Sequence, residues 1–187
     1  MDENIQLVLE DTDENMKAAL DFLTNQLQKI RTGKASPEML DDVVVDYYGT
    51  PTPIKQVGNV SAADARMLTV TPWEKNMIPA IDRAIREAGL GLNPASDSDL
   101  VRVPIPALNE ERRKQLVKQA KDEAETARVS LRSVRKHAND ELKKLKNEGV
   151  SEDDVKEGEK RVQELTKKYT EQVDQIIKDK EQQIMTV

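Results

Sequence analysis

Cysteine is absent from this 187-residue chain, and aromatic residues and glycine are scarce. Without a thiol there can be no disulfide framework, no cysteine nucleophile and no cysteine-based metal site. Only 3% of the residues are aromatic whereas 34% are charged, a composition that favours long amphipathic helices over a compact mixed core. No apolar run is long enough to span a membrane, and the N-terminus lacks the cationic start of a signal peptide. We therefore expect a cytoplasmic protein with no part in a membrane.

Apolar residues recur at three- and four-residue steps in three separate stretches of the chain. The first stripe runs from Ile5 to Ile30, the second from Val117 to Leu145 and the third from Val155 to Ile184. This spacing predicts three long helices that pack lengthwise. We expect them to cover about 2–30, to begin near the N-cap Asn109, and to begin after the N-cap Ser151. The short break before Ser151 makes the second and third helices antiparallel neighbours, and we expect the termini to lie together.

Between the first two stripes the sequence pattern changes to that of a mixed α+β segment. Val43–Tyr48, Met67–Thr71 and Leu100–Val103 are rich in β-branched and apolar residues and predict strands. Residues 49–53 predict a turn, 54–57 a further short strand, and 79–88 a helix with one apolar face. The sequence thus predicts an α+β fold in which 1–31 and 107–187 form a long three-helix bundle. Residues 32–106 form a small inserted β/α/β domain.

The second predicted helix carries a row of basic residues beside its apolar stripe. Arg128, Arg132 and Arg135 are four and three residues apart, so they share one helix face, and Lys136 adjoins them. Between Thr126 and Asn139 there is no acidic residue; Glu125 is the nearest interruption. Such a row is typical of a polyanion site that contacts phosphates. The row alone favours a solvated coiled-coil flank that pairs with neighbouring helices, because acidic residues are abundant on the first and third helices, but it leaves both interpretations open.

Residue types suited to catalysis do not assemble in this sequence. His137 is the only histidine and lacks partners for a metal site or a catalytic pair. Gly89-Leu90-Gly91 lacks the lysine of a phosphate-binding loop, and the carboxylates lie on charged helix faces where solvation is the default. We therefore expect a protein that is not an enzyme and that uses no cofactor and no metal.

Six ordered motifs give the chain its resemblance to a known family, the bacterial ribosome recycling factors. The motifs are Ile30-Arg31-Thr32-Gly33-Lys34-Ala35-Ser36-Pro37, Tyr47-Tyr48-Gly49-Thr50-Pro51-Thr52-Pro53, Leu90-Gly91-Leu92-Asn93-Pro94, Arg102-Val103-Pro104-Ile105-Pro106, Glu110-Glu111-Arg112-Arg113-Lys114, and Ala127-Arg128 through Val134-Arg135-Lys136 to Ala138-Asn139. The resemblance implies an L-shaped molecule: a three-helix bundle similar in size to the long arm of a tRNA, with a small second domain on two linkers.

The resemblance also implies a function. After translation terminates, members of this family act with elongation factor G and GTP to split the post-termination ribosome into subunits and to release the mRNA. By the same resemblance a basic surface of the bundle contacts large-subunit rRNA, and the matching positions are Arg31, Arg128, Arg132, Arg135 and Lys136.

The small domain is expected to swing on its linkers. In this sequence the matching hinge positions are Thr32, Gly33 and Lys34 in one crossing and Pro104 and Pro106 in the other. Glycine leaves the first crossing free to rotate, whereas the prolines stiffen the second. The competing hypothesis is a coiled-coil adaptor or chaperone that binds proteins through its helices; in either case a monomer is expected.

Overall fold

The fold was determined from a computed structural model that describes residues 2–186. The chain forms two compact units. One consists of the chain up to Ile30 together with Lys114–Ile184, and the other consists of Arg31–Arg113 together with the last residues from Met185. The elements are, in chain order, α1 Glu3–Gln28, β1 Val44–Tyr47, β2 Thr50–Pro53, α2 Ile54–Val57, β3 Gly58–Asp64, β4 Met67–Pro72, α3 Ile78–Glu87, β5 Ala95–Ser96, β6 Val101–Pro104, α4 Glu110–Asn147 and α5 Glu152–Met185.

The larger unit is the predicted bundle of three long helices. Its core at one end joins two residues from each helix: Ile5, Leu9, Ala138, Leu142, Val155 and Val162. The two predicted N-caps are confirmed: the side chain of Asn109 accepts from the Arg112 amide at 2.7 Å, and the Ser151 hydroxyl accepts from the Asp154 amide at 3.2 Å. Each cap satisfies an amide that has no partner within its helix.

The direction of α1 corrects the prediction that the termini lie together. Ile5 at the start of α1 packs with Leu142 near the end of α4 and with Val155 at the start of α5, and further along Asp13 bonds to Tyr169. α1 therefore runs antiparallel to α4 and parallel to α5, and the first and last helices begin at the same end of the bundle. These contacts decide the direction of α1, because the insert between α1 and α4 is long enough to permit either direction, whereas the short turn before α5 forces only α4 and α5 to be antiparallel.

The smaller unit is built on a four-stranded antiparallel sheet with the order β3-β4-β6-β5. α3 supplies its apolar face to this sheet through Ile81 and Ile85, which are fully buried with Leu68, Val70 and Val103. β1 and β2 form a separate two-stranded ribbon whose Val45 also enters this core. The α+β class is as predicted, and the strands expected near 43–48, 67–71 and 100–103 are confirmed.

Four details of this unit differ from the sequence prediction. Thr50–Pro53, expected as a turn, is strand β2, and Ile54–Val57, expected as a strand, is one helical turn. Pro51 and Pro53 lack an amide hydrogen, so in the sequence they indicate a turn and not a strand. A strand in a two-stranded ribbon tolerates them. β3 is largely exposed and β5 has only two residues, so neither has an alternating apolar pattern to reveal it. Over the whole described stretch, no helix has the length and apolar character needed to cross a bilayer.

Candidate nucleic-acid interface

α4 is the basic helix of an otherwise acidic bundle. Its sequence holds 12 Lys+Arg and 7 Asp+Glu, a net charge of +5, whereas α1 holds 1 Lys and 6 Asp+Glu, a net charge of −5. The total charge of −6 therefore conceals a strong separation between helices. A polyanion that approaches the bundle meets an attractive field along α4 and a repulsive one along α1.

Arg128 and Arg132 point into a small network of ion pairs on the surface of the bundle. Glu125 uses both carboxylate oxygens: Oε1 accepts from Nη2 of Arg132 at 2.9 Å, and Oε2 lies 3.5 Å from Nη1 of Arg128. Arg128 also donates from Nη2 to Oδ1 of Asp174 on α5 at 2.8 Å. Two guanidinium groups and two carboxylates thus form a chain, Asp174–Arg128–Glu125–Arg132, whose formal charges cancel.

This network keeps its charges at neutral pH. The hydrogen bond from Arg132 lowers the pKa of the Glu125 carboxyl group. The hydrogen bond to Asp174 raises the pKa of the Arg128 guanidinium. Because the arginine side chains are 29% and 52% exposed, water and salt screen each pair, and its net contribution to stability is small. A ligand that offers two oxygens to the same guanidinium groups can therefore compete with the carboxylates.

Arg135 and Lys136 extend the same row by one helical turn, and within residues 2–186 they pair with no acidic side chain. Lys136 is exposed and Arg135 is half-buried beside the apolar stripe. Their charges are therefore uncompensated, unlike those of Arg128 and Arg132. Both interpretations of the row thus describe part of it: one half is an ion-paired helix flank, and the other half presents free cations.

Arg31 belongs to the smaller unit, where its side chain is half-buried. Its Nη2 donates to the carbonyl oxygen of Pro106, and its Nε is buried without a hydrogen-bond partner. Burial lowers the pKa of the Arg31 guanidinium, and the neighbouring charge of Arg112 lowers it further. Arg31 therefore connects the two chain segments that were predicted to act as hinges.

The predicted hinge residues are held to different degrees by the smaller unit. Pro104 is the last residue of β6 and lies opposite Met67, so it belongs to the sheet. Lys34 is exposed, and the next amide, that of Ala35, donates to the Ala65 carbonyl at 2.7 Å. Thr32 and Gly33 lie outside any helix or strand. A Cβ placed on Gly33 would lie 2.4 Å from the Thr186 carbonyl oxygen, so this glycine permits a close backbone approach.

Of the remaining candidates, His137 is exposed at the edge of a cleft between α1 and α4 that also contains Asp11 and Glu141. The part of the chain from 2 to 186 contains no cluster of three or more metal-ligating side chains. The residue that sequence reasoning missed is Asp174. It lies 46 positions from Arg128, and nothing in a helical pattern reveals which acidic residue of α5 will face α4.

Taken together, these features define a class of two-unit α+β proteins: a three-helix bundle with one basic helix, and a small α+β unit inserted between its first two helices. Comparisons with known proteins identify the family. The model of the ribosome recycling factor family matches residues 23–185. The ribosome-recycling factor of Paraburkholderia phymatum is 50% identical over 176 residues, which are 94% of this chain and 95% of that protein.

Two solved structures agree with this assignment. A solution structure of a ribosome recycling factor matches with a TM-score of 0.79 and 36% identity over the full length of both chains. Models for the T. thermophilus ribosome recycling factor and the E. coli elongation factor G bound to the E. coli post-termination complex match with a TM-score of 0.65 and 39% identity. This match covers 97% of this chain and 99% of that one. The chain belongs to the ribosome recycling factor family, whose members are translation factors and not enzymes.

Proposed function

We infer that this protein binds the post-termination ribosome in the cytoplasm and, with elongation factor G and GTP, promotes its separation into subunits and the release of mRNA. Family membership over nearly the whole chain carries this inference. The T. thermophilus relative bound with elongation factor G to the post-termination complex supports the choice of partners. The GTP is consumed by elongation factor G, so no nucleotide site is required in this chain. The adaptor hypothesis loses its support because it rested on the helical pattern alone.

We propose that this protein contacts the rRNA of the large subunit through four residues of α4, namely Arg128, Arg132, Arg135 and Lys136. Arg31 is proposed as a further contact. The support is the net charge of α4 and the free cations of Arg135 and Lys136, which can meet phosphates without breaking an internal pair. Phosphate contacts of this kind position a protein on RNA without reading its sequence. A monomer suffices, because the row lies on a single helix.

The smaller unit is proposed to change its orientation during this cycle. Residues 32–106 would move as one body about Thr32–Lys34 and Pro104–Pro106, and 1–31 with 107–187 would remain on the ribosome. The buried core of the smaller unit supports rigid-body motion, since residues such as Leu68 and Ile81 are fully enclosed within it. Because Pro104 is paired with Met67 in the sheet, backbone rotation in the second linker would have to occur in the residues that follow Pro104.

A ribosome-splitting experiment tests the function. Post-termination ribosomes are mixed with this protein, elongation factor G and GTP, and dissociation is followed by light scattering and sucrose-gradient sedimentation. We expect subunits to appear only when all three components are present. The matched control is the variant Arg132→Ala/Arg135→Ala, which leaves the buried stripe intact and should melt like the wild type yet fail to split ribosomes. Equal splitting with and without the wild-type protein would refute the proposed function.

A further inference from the structure

One acidic side chain of α4, Glu125, contacts two arginines of the basic row at once. The carboxylate of Glu125 bridges two guanidinium groups, with one oxygen toward Arg132 at 2.9 Å and the other toward Arg128 at 3.5 Å. A phosphodiester also presents two non-bridging oxygens. Guanidinium groups of arginine bind a pair of phosphate oxygens with the same geometry as they bind a pair of carboxylate oxygens. An RNA phosphate and Glu125 therefore require the same donors.

The ion pairs that Glu125 makes with Arg128 and Arg132 are exposed and weak, so they can open. The side chains of Glu125 and Arg132 are 57% and 52% exposed, so neither is held by burial. Glu125 lies seven residues before Arg132, and the arginine must extend back over two helical turns to reach it. An exposed pair between two long side chains is weak, because it loses side-chain entropy and is screened by salt. Opening the bridge therefore costs little free energy, but this free energy is subtracted from the binding free energy whenever these arginines contact a ligand.

We propose that Glu125 is an intramolecular competitor of RNA phosphate for Arg128 and Arg132, and that it limits the affinity of the basic row. In the free protein Arg135 and Lys136 carry the uncompensated charge and make the first phosphate contacts. Arg128 and Arg132 exchange Glu125 for phosphate oxygens as the complex tightens. This inference rests on the proposed function, since it assumes that the row binds rRNA.

Substitution of Glu125 tests the proposal, with isolated large ribosomal subunits as the probe. Glu125→Gln removes the charge of the competitor, and Glu125→Asp keeps the charge but shortens the side chain so that it withdraws from Arg132. The matched control is Asp140→Asn, which makes the same charge change at an exposed position of α4. We expect Glu125→Gln to bind about threefold more tightly than Asp140→Asn, the size of one exposed ion pair. Glu125→Asp should also bind more tightly than the wild type.

A second arm shows whether the effect acts through the arginines. In the background Arg128→Ala/Arg132→Ala, the difference between Glu125→Gln and Asp140→Asn should vanish, because the competed donors are gone. Weaker binding of Glu125→Gln than of the wild type would show instead that Glu125 orients the arginines, and would overturn the proposal. Equal affinity of Glu125→Gln and Asp140→Asn would also overturn it, because only net charge would then matter.

The two inferences fail in different ways. If the wild type does not bind large subunits, the proposed function and the competitor role both fall. If the wild type binds and Arg135→Ala weakens it, but Glu125→Gln equals Asp140→Asn, only the competitor role falls. Melting curves of all variants complete the experiment. If Glu125→Gln were to unfold, Glu125→Asp carries the same comparison with the charge retained.

Discussion

Arg128 of α4 donates from Nη2 to Oδ1 of Asp174 on α5 at 2.8 Å, so an arginine of the basic row is bonded to the neighbouring helix before any ligand arrives. Asp174 is itself 60% exposed, so the pair lies at the surface of the bundle. The bond connects α4 and α5 and at the same time reduces the charge that Arg128 can offer to RNA. Position in the row therefore does not determine the contribution of each arginine.

We expect Arg135→Ala to weaken binding to large ribosomal subunits more than Arg128→Ala does. Arg135 has no acidic partner among the described residues, whereas Arg128 must give up part of its interaction with Asp174 and Glu125. Each lost phosphate contact should also flatten the plot of log affinity against log salt by about 0.7–0.9. Affinity measured over a range of salt checks both points; a larger loss with Arg128→Ala would contradict the order.

Leu131→Ala should destabilise the protein without changing the basic row. Leu131 is 1% exposed in the centre of the α4 stripe, and truncating a buried leucine costs about 2–5 kcal/mol. Val129, two residues away, is 52% exposed, so Val129→Ala serves as the control and should be nearly neutral. Thermal and urea unfolding measure the difference. Similar stability of the two variants would show that the stripe lies on another face of α4.

Gly158 of α5 should tolerate alanine but not leucine. A Cβ at this position would lie 3.1 Å from both Ile5 Cγ2 and Leu142 Cδ2, so for alanine these side chains must shift by only a few tenths of an ångström. Alanine gains up to about 1 kcal/mol of helix propensity, which offsets this crowding. We expect Gly158→Ala to stay within about 1 kcal/mol of the wild type, and Gly158→Leu to lose about 1–3 kcal/mol by overpacking. Unfolding curves that rank the two variants in the opposite order would contradict this packing.

Tyr169 should make the bundle sensitive to alkaline pH. Its hydroxyl donates to Oδ1 of Asp13 at 2.5 Å, and burial together with this bond raises the pKa of Tyr169 to about 12. An unfolded tyrosine titrates near pH ~10, so between about pH 10 and 12 the unfolded chain has lost the proton that the folded chain keeps. The stabilising contribution is therefore complete below about pH 10 and is lost as the pH rises through the folded pKa.

The variant Tyr169→Phe isolates this contribution. At neutral pH it should be less stable than the wild type by about 1.5–3 kcal/mol, because a hydrogen bond to a charged group is lost. The difference in unfolding free energy between the two proteins should then shrink as the pH rises above about 10. A difference that is constant up to pH ~12 would show that Tyr169 is not the group that titrates.

Gly33→Pro should narrow the range of orientations of residues 32–106 if Gly33 acts as a hinge. The substitution fixes φ, but it also adds a Cβ where the Thr186 carbonyl is 2.4 Å away. Gly33→Ala is the matched control, since it adds the same Cβ without fixing φ. The cysteine-free chain can be spin-labelled at introduced cysteines, for example in Ala62→Cys/Lys143→Cys. If both variants differ from the wild type in the same way, the close contact with Thr186 and not rotation is what requires glycine here. If the distribution of Gly33→Pro is as broad as that of the wild type, Gly33 is not the hinge.

The helices and most residues of their buried stripes could be predicted from the sequence, but a few positions of the stripes could not. The three- and four-residue spacing fits Ala19 and Val117, whereas the buried residues at these places are Leu20 and Leu116. A shift of one position turns a side chain by about 100°, and two adjacent apolar residues satisfy the spacing equally well. Gly158 fills the gap in the third stripe between Val155 and Val162, and a glycine gives no hydrophobic signal.

The sequence determined the three helices, the inserted α+β segment, the caps and the basic row, because each depends on local spacing or on a residue's own chemistry. The row itself could be found at the sequence level, since Arg128, Arg132 and Arg135 share one face of any helix that contains them. Only the tertiary structure decided which of these cations are free. Whether Asp174 reaches Arg128 depends on the rotation and the axial position of α5 against α4, which the buried side chains of both helices fix together and no single stretch of sequence specifies.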